Sequence, residues 1–203
     1  MVKGLPFIIT VGAIVIIGIV LIAAILVIKS GSSDVATRAG DSGPAAEPEA
    51  ATGTRPGQKA VNFTLADQDG NEVSLYDYEG KVILLDLSAA WCGPCRAEAK
   101  DAGPLLEELK QQGLAILTVL VENADGNAPT PTDLREWAGA FELDFPILGD
   151  TRNEVWNLYN EEDGVPLNLI IDRNLTIRYK QAGYNRVQVE EILKRILSES
   201  EAS

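Results

Sequence analysis

Trp91-Cys92-Gly93-Pro94-Cys95 contains both cysteines of this 203-residue chain. Ahead of it runs Val82-Ile83-Leu84-Leu85-Asp86-Leu87-Ser88, an apolar run of strand length with one carboxylate in it. Behind it, Arg96 to Gln112 reads as a helix. At such a strand-to-helix junction the first cysteine falls at the helix N-cap. There, unpaired backbone N–H groups and the helix dipole favour a thiolate. Pro94 suits the first helical turn, where its missing N–H would have had no partner. Cys95 lies three residues on, on the same side of that turn, close enough to close a disulfide. Taken alone, a Cys-x-x-Cys pair is half a zinc site, a structural staple or a redox centre.

Composition narrows those options. The chain has no histidine, which removes Ser-His and Cys-His catalysis, His-ligated zinc or copper, and haem with a proximal His. With two cysteines, a four-cysteine zinc site within one chain is also impossible, so no metal is expected. A staple across three residues closes too short a loop to stabilise much. A net charge of −13 argues against nucleic acid, whose binding rests on neutralising phosphates with Lys and Arg. At 46% hydrophobic and 23% charged, the chain supports one folded domain plus appendages.

Those appendages come first. Phe7 to Ile28 carries no charge and has no polar face. At ~1.5 Å per residue it spans a hydrocarbon core of ~30 Å, and it exceeds the usual ~7–15 residues of a cleaved signal. It reads as an uncleaved transmembrane anchor within residues 1–29, in contact with membrane lipid. Flanking charges, Lys3 on one side against Lys29 and Arg38 on the other, do not decide its orientation. Residues 30–57 read as a flexible linker, because 21 of its 28 residues are Gly, Ser, Thr, Ala or Pro.

From Gln58 to Ser203 the pattern is globular. Val61 to Ala66 reads as a strand, turned by Asp69-Gly70 into Glu72 to Tyr78. Lys81 to Ser88 and Leu114 to Val121 read as central strands. Gly103-Pro104 is expected to kink the helix after the cysteines. Thr130-Pro131 caps a helix carrying Leu134, Trp137, Ala138 and Phe141. Phe145 to Leu148 reads as a strand, and Thr151-Arg152-Asn153-Glu154 as a capping box opening a helix through Tyr159. Val165 to Asp172 and Leu175 to Ala182 pair around Arg173-Asn174. Val189, Ile192, Leu193, Ile196 and Leu197 mark a final amphipathic helix. Trp137, Phe141, Trp156 and Tyr159 are most simply core. The alternation is that of an α/β sheet with helices on both faces.

The stretch Asp86 to Glu98, with Gly164-Val165-Pro166 opening a strand some 70 residues later, resembles the thioredoxin superfamily. The resemblance is strongest to its membrane-anchored TlpA/ResA-type thiol-disulfide oxidoreductases, and it covers about Gln58 to Ser198. It implies a thioredoxin-like fold: a central mixed sheet flanked by helices, with an extra N-terminal hairpin and one transmembrane helix ahead of the domain. It also implies that Cys92 is the exposed nucleophile and Cys95 the shielded resolving thiol, with Cys92–Cys95 a redox-active disulfide and no other cofactor. Asp86 corresponds to a buried proton-relay carboxylate, although a solvated strand-end acid is the plainer reading; burial would raise its pKa. Pro166 corresponds to a cis-proline beside the disulfide, against a trans edge-strand proline. Trp91, Gly93, Pro94 and Val165 would line the substrate groove, Trp91 serving packing or recognition. Glu98 matches an acid typical of this branch, or is an ordinary solvated helix residue.

Two departures accompany the likeness. Lys100 stands where the family commonly kinks the helix with proline, and Leu114 to Val121 offers no lysine to Asp86. The expected activity is reduction of protein disulfides, apocytochrome c or other thiol proteins, because Gly93-Pro94 supplies neither charge nor side-chain donor to stabilise a strongly oxidising pair. An integral-membrane or other thiol donor would re-reduce the enzyme. The resemblance implies a single-pass protein of the inner (cytoplasmic) membrane, with its domain on the periplasmic side. Alternatives on the same fold are a thiol-dependent peroxidase and a disulfide oxidase or isomerase. Ser88 to Trp91 lacks the Pro-and-Thr loop the peroxidase would need.

Overall fold

The computed structural model describes residues 51–161 and 164–199. The Phe7–Ile28 span and most of the linker lie outside them. Among the described residues, no helix is long and apolar enough to cross a membrane.

In chain order the elements are β1 (Thr52–Gly53), β2 (Lys59–Ala60), β3 (Thr64–Ala66), β4 (Glu72–Ser74) and a 3-10 turn at Leu75–Tyr78. Then come β5 (Val82–Ala89), α1 (Gly93–Leu109), a 3-10 turn at Lys110–Gln112, β6 (Leu114–Glu122), α2 (Pro131–Ala140) and β7 (Ile147–Gly149). The last are α3 (Glu154–Tyr159), β8 (Leu167–Ile171), β9 (Ile177–Ala182) and α4 (Arg186–Glu199). Five strands form one mixed sheet in the order β7-β6-β5-β8-β9. β5 runs parallel to β6, and β6 to β7, while β8 is antiparallel to both β5 and β9.

All eight residues of β5 are buried, as are the first eight of β6. Strands covered on both faces must be apolar throughout, which is why these runs do not alternate. Gly113 turns the chain into β6 at φ 98°, a conformation that a side chain resists, and an added Cβ would meet the Arg173 guanidinium at 3.2 Å. On one side of the sheet α1 packs between α2 and α4: the Arg96 guanidinium covers the Phe141 ring, and Lys194 pairs with Glu108 at 2.8 Å. The other side is covered by the N-terminal segments and α3. Tyr159 donates to the Val61 carbonyl at 2.6 Å and meets the Phe63 ring edge-on.

Several local expectations change. The N-terminal hairpin is β3-β4 alone, and Leu75 to Tyr78 leaves the strand because Ser74 and Asp77 form a capping box there. Residues 51–57, assigned to the linker by composition, are paired: β1 aligns with β2, and Gly57 donates to the Ile177 carbonyl at 2.8 Å. α1 continues through Pro104 to Leu109. The box expected at Thr151–Glu154 does not form. Asn153 adopts a left-handed conformation and its side chain makes no capping bond. The buried Asp150 carboxylate instead accepts from the backbone N–H groups of Glu154 and Trp156, both at 2.8 Å.

This reassigns the cap and can be checked by denaturant unfolding. Asp150→Ala should cost about 1–3 kcal/mol, whereas Thr151→Ala should change stability by no more than about 0.5 kcal/mol. An equal loss from both would restore the capping box.

Candidate active site

β5 ends at Ala89, and a short turn carries the chain into α1 with Cys92 as N-cap. Its backbone is extended there (φ −77°, ψ 121°), and its sulfur accepts from the Cys95 N–H at 3.2 Å. Cys92 and Cys95 are joined as a disulfide, with their Cα atoms 5.3 Å apart. The Val165–Pro166 peptide is cis and crosses beside them, with the Cys92 sulfur 3.6 Å from the Val165 carbonyl oxygen. Helix N-terminus and aligned N–H together make the Cys92 position hospitable to negative charge on sulfur.

Exposure at the pair differs from expectation. Cys92 is only 3% exposed and Cys95 is fully buried. In the disulfide, the Cys92 sulfur is turned into the helix end and against Val165, so the difference between the two has the expected sense but is small. What solvent meets is Gly93, Pro94 and Trp91, whose side chain is 53% exposed. The Trp91 indole N–H donates to Glu122 Oε2 at 2.6 Å. Trp91, Glu122, Asn153, Trp156, Gly164 and Val165 line a groove of about 380 Å³ beside the disulfide. Trp156, expected in the core, is half-buried and belongs to that groove. Trp137 and Tyr159 are buried as expected.

On the α1 side of the sheet lies a second feature. Asp86, in the middle of β5, is buried and accepts from the Ser88 hydroxyl at 2.8 and 2.6 Å to its two oxygens. Desolvation pushes its carboxyl up to about 7, against the hydrogen bonds from Ser88 and Thr118 that favour the anion. Glu98, one turn past Cys95, is also buried. Desolvation raises its pKa well above the usual range, the Asp86 charge adds to this, and the Asn168 hydrogen bond opposes it. Asn168 is the register partner of Asp86 on β8, and its Nδ2 donates to Glu98 Oε2 at 3.0 Å. Among the described residues, Glu98 Oε1 and Asn168 Oδ1 are left without partners. Both are acceptors, so a proton on Glu98 supplies a donor that the ionised acid lacks. Neither acid is therefore a solvated surface group.

Sequence reading missed Ser88, Thr118, Asn168 and Glu122. Asn168 carried a signal, being the one polar residue of Leu167-Asn168-Leu169-Ile170-Ile171. Ser88 lies two residues from Asp86 on the same face of β5, and Thr118 and Glu122 become visible only through strand register.

Buried Asp86 fixes the sign of a stability effect. Unfolded, it ionises near 3.8; folded, near 7, so the native state holds the extra proton between those values. Its contribution to stability is fully present below about pH 4 and is lost as pH rises through about 7. Asp86→Asn removes this dependence. Relative to wild type, the variant should gain on the order of 2–4 kcal/mol between pH 4 and pH 8 in chemical denaturation of the oxidised protein. A pH-independent difference between the two proteins would show that Asp86 is not held protonated.

Comparison with known proteins agrees with this geometry. Residues 56–180 match the AhpC/TSA family. The chain is 30% identical over 146 residues to a thiol-disulfide oxidoreductase ResA of Halalkalibacterium halodurans, covering 72% of this chain and 80% of that one. It is 35% identical over 118 residues to a protein of the same name from Geobacillus kaustophilus, covering 58% of this chain and just 64% of that relative. A Chlorobium tepidum crystal structure assigned as the thiol:disulfide interchange protein DsbE superposes with a TM-score of 0.59 at 27% identity, over 69% of this chain and 94% of that one. A second protein from that organism, a thioredoxin-family thiol:disulfide interchange protein, superposes with a TM-score of 0.59 at 19% identity, over 70% and 97% of the two chains, and shares the fold. With a disulfide at the N-cap of α1, a cis-proline against it and the thioredoxin-like sheet beneath, the chain belongs to the AhpC/TSA family, among its ResA-like thiol-disulfide oxidoreductases.

Proposed function

We propose that this protein reduces disulfides of polypeptide substrates and is itself re-reduced by a thiol donor. The observation that carries the reading is the Cys92 sulfur at the helix N-terminus, accepting from the Cys95 N–H beside the Val165 carbonyl. In the reduced enzyme a Cys92 thiolate, stabilised there, attacks one sulfur of the substrate disulfide. The S–S bond breaks, the second substrate sulfur leaves as a thiolate and takes up a proton, and a mixed disulfide to Cys92 forms. Cys95 then loses its proton to the ionised form of Asp86, whose carboxyl is raised to about 7, and attacks the Cys92 sulfur. This closes Cys92–Cys95 and releases the remaining substrate thiol. Two electrons have passed to the substrate, and a dithiol donor returns them.

Gly93 and Pro94 add no charged or hydrogen-bonding side chain to hold the reduced pair as a thiolate, which favours a reductant over a strong oxidase. A peroxidase would want a guanidinium at the reacting sulfur. Arg96, one residue beyond the motif, donates to the Ala90 carbonyl at 3.4 Å and lies over Phe141. In this reading Phe7 to Ile28 anchors the chain in the cytoplasmic membrane, the domain works on the extracytoplasmic side, and an integral-membrane thiol transporter is the donor. Apocytochrome c is a candidate substrate within the same proposal.

Replacing the resolving thiol tests the order of attack. Cys95→Ser should accumulate mixed disulfides through Cys92 in native membranes, resolved by mass spectrometry of the adducts, and Cys92→Ser should accumulate few. No adducts, or equal adducts from both, would undo the assigned order of attack. The reduction potential should fall at about −200 mV or below, and a value near about −120 mV, with net oxidation of a reduced test protein, would make the protein an oxidase instead.

A further inference from the structure

The groove beside Cys92 has a composition that disulfide exchange itself does not require. Trp91 and Trp156 contribute two indole rings, and among the described residues Glu122 contributes the one ionisable side chain that lines it. Among the described residues, no lysine or arginine lines it. Trp91 is one of two large hydrophobic side chains left exposed among the described residues, and its indole N–H is tied to Glu122 Oε2 at 2.6 Å. Glu122 Oε1 carries no hydrogen bond among the described residues, so the carboxylate retains accepting capacity beside the rings.

Glu122 owes its place to a register shift. Ser88 pairs with Leu120, but Ala89 pairs with Glu122, so Val121 is an extra residue on β6 at the mouth of the site. The Ala90 N–H then donates to the Glu122 carbonyl at 2.9 Å, which fixes this residue against the segment carrying Trp91 and Cys92. Aromatic faces with a carboxylate among them attract a cation twice, through the ring quadrupole and through the anion. The groove also runs along Val165, whose carbonyl lies 3.6 Å from the Cys92 sulfur. An extended substrate chain that brings its cysteine to that sulfur therefore carries a neighbouring side chain into the groove.

We infer that Glu122, held against Trp91, selects polypeptide disulfides with a cationic side chain, Lys or Arg, next to the attacked cysteine. The inference rests on the disulfide-reductase reading and deepens it, with the groove setting substrate class while the Cys92–Cys95 pair carries the electrons.

The test uses the full chain, reduced, freed of reductant and held in a neutral detergent. It compares short peptides, each closed by one disulfide and differing only in the residue flanking the cysteines: lysine, norleucine, phenylalanine or glutamate. At low ionic strength the lysine peptide should be reduced about five- to tenfold faster than its norleucine isostere. The glutamate peptide should be slowest, and 1 M salt should compress the spread. Glu122→Gln keeps an acceptor for the Trp91 indole while removing the charge, and should bring the lysine-to-norleucine ratio close to one. Glu136→Gln, a carboxylate on α2 that lines a neighbouring depression, should leave that ratio intact. A ratio near one in the unmodified protein, equal loss in both variants, or fastest reduction of the phenylalanine peptide would each overturn the inference while leaving the reductase reading standing. Reduction of no peptide at all would remove the reductase reading and the inference together.

Discussion

Strand β5 is hydrogen-bonded along its length, to β6 on one side and β8 on the other, with every residue buried. That placement has two electrostatic results. Above its end, the chain turns so that Cys92 caps α1, where backbone N–H groups receive negative charge on sulfur at little cost. Within it, Asp86 is forced into a medium that penalises its anion, and Glu98 is buried within the same cluster. The site is therefore polarised over one helical turn. Negative charge is favoured at the first sulfur, and Asp86, with its carboxyl raised to about 7, exchanges a proton near neutral pH. In the proposed reaction those properties match what each cysteine must do: Cys92 attacks as an anion, and Cys95 gives up a proton to ionised Asp86 before it resolves.

The asymmetry also explains why the acids tolerate burial. An unpaired buried carboxylate is costly, and among the described residues Asp86 has no lysine or arginine partner; its bonds come from the Ser88 and Thr118 hydroxyls. Protonation is the cheaper solution. Asn168 ties Glu98 to β8 and to the Gly183 carbonyl, so the acid is positioned by the same sheet that desolvates it.

How much of this was legible followed from the range of each cause. The motif, the buried runs of β5 and β6, and the apolar face of α4 are local patterns, and each fell where periodicity placed it. The likeness carried by Cys92, Cys95 and Pro166 gave the sheet. Thr118 and Asn168 became partners of the acids only through cross-strand register, which no local pattern encodes, whereas Ser88 meets Asp86 on the same face of the same strand. The Glu122 position depends on an extra residue in β6. Thr151–Glu154 had the letters of a capping box, but Asn153 turned left-handed and Asp150, just ahead of it, took the bonds. Ala51 to Gly57 looked like linker because composition records side chains, whereas this stretch is held by its backbone.

Near-complete burial of Cys92 bears on how a substrate gains access. A reactive sulfur that is 3% exposed offers little target to a collision, so intrinsic reactivity alone selects poorly for partners. What projects is Trp91, with Gly93 and Pro94 beside it and the Val165 edge across the groove. A polypeptide that first engages this surface gains binding energy a small thiol cannot, and it spends that energy on bringing its own sulfur to the Cys92 opening. In the proposed reaction, selectivity resides in the groove and electron transfer in the disulfide. Substitutions in the first should alter which disulfides react, and substitutions around Asp86 and Glu98 should alter how the protons move.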